Sequence, residues 1–340
     1  MGLSCDNKIR DFGYHEKEAS QLPVQFRGEL AREMGIHGTY DREAADRLFR
    51  GMRPGLADDK EQRLTQRIVK DRVGAWDWTF NVDKTVSGVA LIGGDKRVID
   101  VQHNAVLAAM DYVEKNARVR VRKSAEVVKA RPKVYKFPAR YTNSLLYDTH
   151  VHVAARDGAA HLHTHVRLYN LSKDSEEKCV KAVELRFVDR EAANDIYRTS
   201  LKRGLNELGY KTTLNGKEIA IAGFPCDVKA ICSTRHESIK EMEREYEQKK
   251  GQPLTKKAKG KLSLVGRPDK DENDRPPEAR RQEWRARLSP GQYRKVLSVV
   301  ERAKEEAGYW SNRIISHFHQ SRNRDIQEVN LERDKGRGRI

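Results

Sequence analysis

His150-Val-His152-Val-Ala-Ala-Arg156-Asp157-Gly158-Ala-Ala-His161-Leu-His163-Thr-His165 is the stretch from which the fold can be argued. It gathers five of the chain's 11 histidines into 16 residues around an Asp-Gly dipeptide. Asp-Gly suits the type I′ turn between two antiparallel strands, because both central residues of that turn need positive φ. Side chains alternate along a strand, so His150 and His152 share a face, as do His161, His163 and His165. If Asp157 and Gly158 form a two-residue turn, residues whose numbers sum to 315 face each other, so His152 meets His163 and His150 meets His165. Directly opposed Cβ atoms lie about 5 Å apart, close enough for imidazoles of both strands to share a metal ion. One His-x-His pair is weak evidence of a ligand set; two pairs in register are read as a metal site. With no Cys or carboxylate beside them, three imidazoles leave coordination positions open, which suits a Lewis acid better than a closed structural ion. His317-Phe-His319 repeats the spacing in a helical context, where residues two apart diverge, and is set aside.

Working outward, Ala75-Trp-Asp-Trp-Thr-Phe-Asn81 alternates as a strand, and Ser144–Val153 and His161–Leu171 do the same. Asp95–Asn116 has the period of a long amphipathic helix, and Asp189–Leu208 reads as another, with Asp189 as N-cap and Gly209 as stop. Arg27–Met34 and Asp41–Met52 read as short helices, Lys60–Val73 as a charged one, Asp83–Leu91 as a fourth, and Gly93-Gly94 as the turn after it. Residues 1–25 are polar and read as irregular. Glu184–Val188 is expected as a strand, and Asn215-Gly216 as the turn of a hairpin. Arg118-Val-Arg-Val-Arg122 alternates strictly, which puts Arg118, Arg120 and Arg122 on one face of a strand, in a segment with nine Lys/Arg and one acid between residues 118 and 140. Such a face can follow a phosphate backbone or simply be a solvated edge.

The chain has 340 residues and a formal net charge of +17, with 37% apolar residues. That composition supports a folded core and excludes wholesale disorder. No run approaches the ~20 apolar residues of a membrane span, and charges at Asp6, Lys8, Arg10 and Asp11 exclude a signal peptide. The four cysteines form no CxxC pair, so a reducing, cytoplasmic setting is expected. The positive charge points to an anionic partner, nucleic acid before lipid. No GxxxxGK[ST] phosphate loop is present, so no ATP motor is expected in this chain.

With these residues assembled, the sequence resembles a known family. His152 and the His161-Leu-His163-Thr-His165 run resemble the histidine triad of the HUH relaxases, of the MobF type, the TrwC/TraI family. Trp76-Asp77-Trp-Thr-Phe-Asn-Val-Asp-Lys84-Thr-Val-Ser87 resembles that family's D-L-T-F-S-A-P-K-S-V-S segment, Leu91–Asp100 its G-G-D-K-R segment, Arg156-Asp157 its R-D pair, and Ile196–Tyr210 its helix ending in L-G-Y. Ser233-Thr-Arg235 and Arg281-Gln-Glu-Trp284 resemble later family segments, and the likeness runs over roughly residues 14–290.

The resemblance implies an α+β fold whose central antiparallel sheet carries a three-His metal site, with flanking helices and a helical C-terminal extension. It implies residues 1–234 as catalytic core, 235–330 as a basic, helical DNA clamp, and 331–340 as a disordered tail. It implies a site- and strand-specific enzyme that nicks single-stranded origin-of-transfer DNA through a 5′-phosphotyrosyl intermediate and rejoins it during plasmid mobilisation. His152, His163 and His165 match the metal ligands. Asp77 matches the acid near the tyrosine and a ligand histidine. Tyr14 is the candidate nucleophile and Tyr40 the second choice. The cofactor is a divalent metal ion, Mg2+ or Mn2+, with Zn2+ or Ni2+ compatible with three imidazoles. Trp76, Trp78, Lys84, Arg118, Arg120, Arg122 and Arg156 are the expected DNA contacts, through stacking and charge. Further partners implied are a separate helicase and relaxosome accessory proteins, around a bacterial, cytoplasmic monomer. The chain departs from the family pattern in having one N-terminal tyrosine, Tyr14, where the family has two pairs. That departure keeps a second expectation open, a single-stranded DNA-binding relative without the nucleophile. A third is a zinc hydrolase acting on a small molecule.

Overall fold

In the computed structural model the residues described are 3–9, 12–15, 20–55, 63–65, 72–121, 139–155, 157–174, 176, 178–231, 234–255, 258 and 275–308, with the side chains of 4–7, 14, 15, 187, 234–238 and 250 left out. The chain runs β1 (Leu3–Ile9), a 3-10 turn (Phe12–His15), α1 (Glu29–Glu33), α2 (Arg42–Arg50), β2 (Ala75–Asn81) and α3 (Lys84–Ser87), which continues as a π turn over Gly88–Ile92. It goes on through α4 (Arg97–Lys115), β3 (Arg118–Arg120), β4 (Ala139–Tyr141), β5 (Tyr147–Ala154), β6 (Ala160–Tyr169), β7 (Ser172–Asp174), β8 (Cys179–Lys181) and a 3-10 turn at Leu185–Phe187. The last elements are α5 (Arg190–Glu207), β9 (Thr212–Asn215), β10 (Glu218–Ile221), α6 (Cys226–Ile231), α7 (Thr234–Lys250) and α8 (Pro277–Ala286), then a helix over 290–308, α9.

Four strands form the central sheet in the order β1-β2-β6-β5, all neighbours antiparallel. Its two faces differ because the strands alternate. Trp78 and Phe80 of β2, Val151 and Val153 of β5, and Leu162, Val166 and Leu168 of β6 are buried in one cluster with Val106, Met110 and Val113 of α4 and Tyr197, Leu201 and Leu205 of α5. Each such side chain contributes roughly 1.5–3 kcal/mol of burial. Polar side chains inside this layer are matched: Thr164 Oγ1 donates to Gln102 Oε1 at 2.7 Å, Gln102 Nε2 to the Phe80 carbonyl at 3.3 Å, and Tyr197 Oη to the Asn81 carbonyl at 3.0 Å. The opposite face is polar and carries the histidines.

Local sequence explains the ends of the helices. Asp41 accepts from Ala44 N and caps α2, and Gly51 ends it with φ 83. Asp189 caps α5 by accepting from the Glu191 and Ala192 amides, as its sequence suggested. The Glu114 carboxylate takes the amides of Glu29 and Leu145 at 2.7 Å each, which ties α1 to α4 and to the lead-in of β5.

Several expectations are corrected. The N-terminal residues are not irregular, for β1 pairs with β2 as an edge strand; a register shift between Ser4 and Asn7 breaks the alternation that would have announced it. In the expected helix over 60–73, the described residues 63–65 are extended, bridging Met52 through Arg63 and Val180 through Thr65. Leu185–Phe187 is a 3-10 turn rather than a strand. The Asp157-Gly158 turn is not a two-residue loop: Ala155 N donates to the Ala159 carbonyl at 2.9 Å, and the ladder shifts register between His152 and Ala154. Below that shift the pairs are His152 with His163 and His150 with His165, as the 315 rule required. The expected boundary at 234/235 does not separate the C-terminal helices from the core, since Trp284, Leu288, Val296 and Val300 belong to the main cluster. Residues 309–340, including the expected tail, lie outside the described residues.

Candidate metal centre and its surroundings

The register fixes three successive rows on the polar face of the sheet. Asn81, His163 and His152 form one row, Thr79, His165 and His150 the next, and Asp77, Arg167 and Asp148 the third. The ring centroids of His152, His163 and His165 lie 5.0–5.5 Å apart. One nitrogen from each of the three lies within 4.8 Å of the others. His152 is 1% exposed and His163 8%, so this is an interior site with an edge at His165.

Hydrogen bonds behind the rings set which nitrogens face inward. His163 Nδ1 lies 2.9 Å from the His161 carbonyl. A carbonyl only accepts, so Nδ1 carries the proton and Nε2 keeps its lone pair. His165 Nδ1 donates to Asp77 Oδ1 at 2.8 Å, which puts the lone pair on Nε2 in the same way. Burial, and then the neighbouring His165, push the His163 pKa down to about 3. The imidazole is therefore neutral over the physiological range, the form that ligates a metal. Donor type and spacing at all three, burial at His152 and His163, and tautomer at His163 and His165 thus fit a divalent ion at His152, His163 and His165.

The other two histidines do different work. His150 Nε2 donates to Asp148 Oδ1 at 2.9 Å. His161 Nε2 lies 3.0 Å from Asn81 Oδ1, and its ring stacks on His163 with centroids 5.1 Å apart.

Among the sequence-derived contacts, Lys84 reaches the site: its Nζ donates to the Ala160 carbonyl at 3.0 Å, and its charge helps depress both His161 and His163. Trp78 and Phe80 are fully buried against the helices, and Trp76 is partly buried against the same core, so Trp78 has no face for a base to stack on. Arg118 and Arg120 sit on the separate two-stranded β3–β4 ribbon. Arg118 lies 4.0 Å over the Tyr141 ring and donates to its hydroxyl, and Arg120 pairs with Glu184. Both pairings lie at the surface, and the Arg120 side chain stays 55% exposed. Arg122 and Arg156 lie outside the described residues. The backbone of Tyr14 is in the Phe12–His15 turn that follows β1, and its side chain is outside those described.

Sequence reasoning named Asp77 but missed Asp148 and Arg167, the other two residues of the third row. Asp148 is fully buried and accepts from Arg167 Nε at 3.0 Å, Arg167 Nη2 at 2.8 Å, Tyr169 Oη at 2.6 Å and His150. Burial opposes its charge, but the Arg167 guanidinium and these donors outweigh burial and hold the carboxyl well below its usual range. Arg167 Nη2 also donates to Tyr40 Oη at 3.0 Å. The signal was available: Asp148 stands two residues before His150 and Arg167 two after His165, so the alternation that grouped the histidines extends to both.

The TrwC relaxase family model matches residues 5–290. The chain belongs to the TrwC relaxase family. It is 31% identical over 268 residues to the multifunctional conjugation protein TraI of Escherichia coli, and 30% identical to TraI of strain K12. These matches cover 76% of this chain but 14% of TraI, so the chain spans about one seventh of the length of those relatives. Among solved structures, the metal-bound conjugative relaxase TrwC in complex with oriT DNA aligns with a TM-score of 0.67 at 22% identity, covering 86% of this chain and 98% of that one. TrwC complexed with a 27-mer comprising the recognition hairpin and the cleavage site aligns with a TM-score of 0.65 at 23% identity, over 84% and 96%. The α+β relaxase fold expected from the sequence is thus the one observed.

Proposed function

We propose that this chain is a metal-dependent DNA strand transferase that nicks and rejoins single-stranded DNA at an origin of transfer. Membership of the TrwC relaxase family supports this reading, as do the similar structures that carry oriT DNA. The observation that carries it within the chain is the close cluster of His152, His163 and His165, with the tautomers of His163 and His165 set by their hydrogen bonds. A divalent ion held there supplies charge neutralisation for the non-bridging oxygens of a scissile phosphate.

In the proposed reaction the Tyr14 phenol oxygen forms a bond to phosphorus while the bond to the 3′ oxygen breaks. The 3′ oxygen leaves with a proton and the 5′ phosphate stays on the tyrosine, so the bond energy is kept for rejoining. Asp77 acts chiefly by holding His165 in the ligating tautomer, because its Oδ1 is already engaged by that ring. Lys84 adds positive charge at the edge where the phosphate would lie. We further propose that one chain acts as a monomer, that Mg2+ or Mn2+ is the working ion, and that a separate helicase and accessory proteins complete the assembly. Among the described residues no helix is long and apolar enough to cross a membrane.

A covalent-adduct assay tests the proposal. Oligonucleotides tiled across the DNA flanking the chain's own gene are end-labelled, incubated with protein and Mn2+, and run on denaturing gels. An adduct lost in Tyr14→Phe and in His163→Ala supports the reading. An adduct that survives Tyr14→Phe and is lost in Tyr40→Phe moves the nucleophile to Tyr40, whose ring lies 6.4 Å from His150. Tight binding with no adduct on any oligonucleotide favours the DNA-binding relative without a nucleophile.

A further inference from the structure

The N-terminal turn and the histidine face meet at one side chain. Arg167 is fully buried on β6, between Asp77 of β2 and Asp148 of β5 in the sheet register. All three nitrogens of its guanidinium donate. Nε and Nη2 bind Asp148, Nη2 binds the Tyr40 hydroxyl, and Nη1 donates to the Phe12 carbonyl at 3.3 Å. The same group stacks on the Phe12 ring, with its carbon 4.6 Å from the centroid, and lies 5.5 Å from that of Tyr169. A buried arginine desolvated to this degree is costly to keep unless each donor has a defined acceptor. Here the acceptors come from the central sheet, from the loop before α2, and from the backbone of the turn that contains Tyr14.

We infer that Arg167, oriented by Asp148, is a positioning residue that docks the Phe12–His15 turn against the histidine face and so sets the approach of Tyr14 to the metal centre. The inference rests on the proposed role of Tyr14 for its catalytic meaning, while the docking itself is independent of that role. Three features favour docking over simple core filling. A planar fork donates to Asp148 through two nitrogens and to a backbone carbonyl through the third, a spread that a single ammonium nitrogen does not match. The hydrogen bond to Phe12 is to main chain, so it fixes the path of the turn as well as the rotamer that the ring contact favours. Asp148 also holds His150, which stands between Asp148 and His152 on the same strand face, so one carboxylate orders both the turn's anchor and the row beside the ligands.

The test uses Arg167→Lys, which retains the charge opposite Asp148 and gives up the fork, and Arg167→Ala with and without added ethylguanidinium. Three quantities are read: hydrogen exchange of the amides of residues 12–15, the affinity for Mn2+ alone, and the single-turnover adduct rate on an oligonucleotide that reacts with the wild type. The expected result is that exchange at 12–15 rises about tenfold or more in both variants while amides of β5 and β6 are unchanged. Affinity for Mn2+ stays within about twofold, and the adduct rate at saturating oligonucleotide falls about 30–100-fold with the half-saturating concentration unchanged. Ethylguanidinium restores exchange protection in Arg167→Ala, and ethylammonium does not. Unchanged exchange at 12–15 in Arg167→Lys overturns the inference. So does a parallel loss of Mn2+ affinity or of protection across β5 and β6, which would make Arg167 a support of the sheet. If Tyr14→Phe still forms the adduct while the exchange result holds, the docking stands and the assignment of Tyr14 as nucleophile fails.

Discussion

His165 Nδ1 donates to Asp77 Oδ1 at 2.8 Å across the β2–β6 pair, two residues along β2 from the position directly opposite. The diagonal works because Asp77, Thr79 and Asn81 share a face, and Thr79 Oγ1 sits 3.2 Å from the same nitrogen. The bond fixes the ring so that Nε2 faces His152 and His163. Asp77→Asn keeps the size but removes the charge and can present an amide donor to Nδ1. We expect affinity for Mn2+ to fall about 10–100-fold without loss of the fold, measured by titration calorimetry beside circular dichroism. Unaltered affinity would show that Asp77 does not govern the ligand set.

Removal of the ion should be visible as stability. A ligand that binds only the folded chain stabilises it by about 2.7 kcal/mol at a hundredfold excess over its dissociation constant. Thermal unfolding with Mn2+, and again after a chelator, should differ for the wild type. His163→Ala should show no difference, because a two-histidine remnant lacks the third ligand. A metal-dependent shift retained in His163→Ala would place the ion elsewhere.

Acid sensitivity has a specific source in the layer under the sheet. His103 on α4 is buried, lies 3.0 Å from Thr149 Oγ1, and has its pKa pushed from 6.5 down to about 4 by burial and then by the charge of Arg27. The unfolded chain therefore binds this proton first as pH falls. Its contribution is present above pH 6.5 and is lost progressively down to about 4, amounting to about 3 kcal/mol in all. Urea unfolding between pH 7.5 and 4.5, with chelator present, should show a shallower loss for His103→Gln than for the wild type. Equal slopes would remove His103 from the account.

Gly28 is required by its backbone. Its φ is 93, and a Cβ there would stand 2.3 Å from the Leu145 carbonyl oxygen, where the chain leading into α1 crosses the lead-in of β5. Gly28→Ala should cost about 2–4 kcal/mol in denaturant unfolding, from strain and overlap together. A cost near zero would mean that the crossing can open freely.

Trp78 separates a core role from a DNA role. It is fully buried on the helix-facing side of β2. Trp78→Ala should cost about 3–5 kcal/mol of stability, while the protein that remains folded binds single-stranded oligonucleotides with unchanged affinity in anisotropy titrations. Weakened binding by a fully folded variant would restore Trp78 as a stacking residue.

Much of the site was legible because one strand's period suffices to read it. Two His-x-His pairs about an Asp-Gly dipeptide announced an antiparallel pair and the register His152–His163, and the register survived although the turn itself is longer than the dipeptide suggested. Asp77 entered by resemblance, and the geometry placed it on His165. What alternation could not report was which of the two faces would be covered. The Trp76–Phe80 stretch reads equally well as a stacking surface or as core, and only the packing of α4 and α5 onto that side makes it core.

The chain by itself determined the strand pair, its register and the three imidazoles, because these depend on local alternation and on a turn a few residues long. Tertiary structure decided the rest. β1 is a bulged edge strand without its own pattern and exists through pairing with β2, 70 residues away. Arg118 and Arg120, free cations in sequence, are tied down by Tyr141 and Glu184 once the chain returns beside them. Arg167 looks like one more basic residue until β5 brings Asp148 across the ladder and the N-terminal turn lays the Phe12 carbonyl over it. Contacts of this kind depend on groups far apart in sequence sharing a desolvated volume, and no local periodicity encodes which groups those will be.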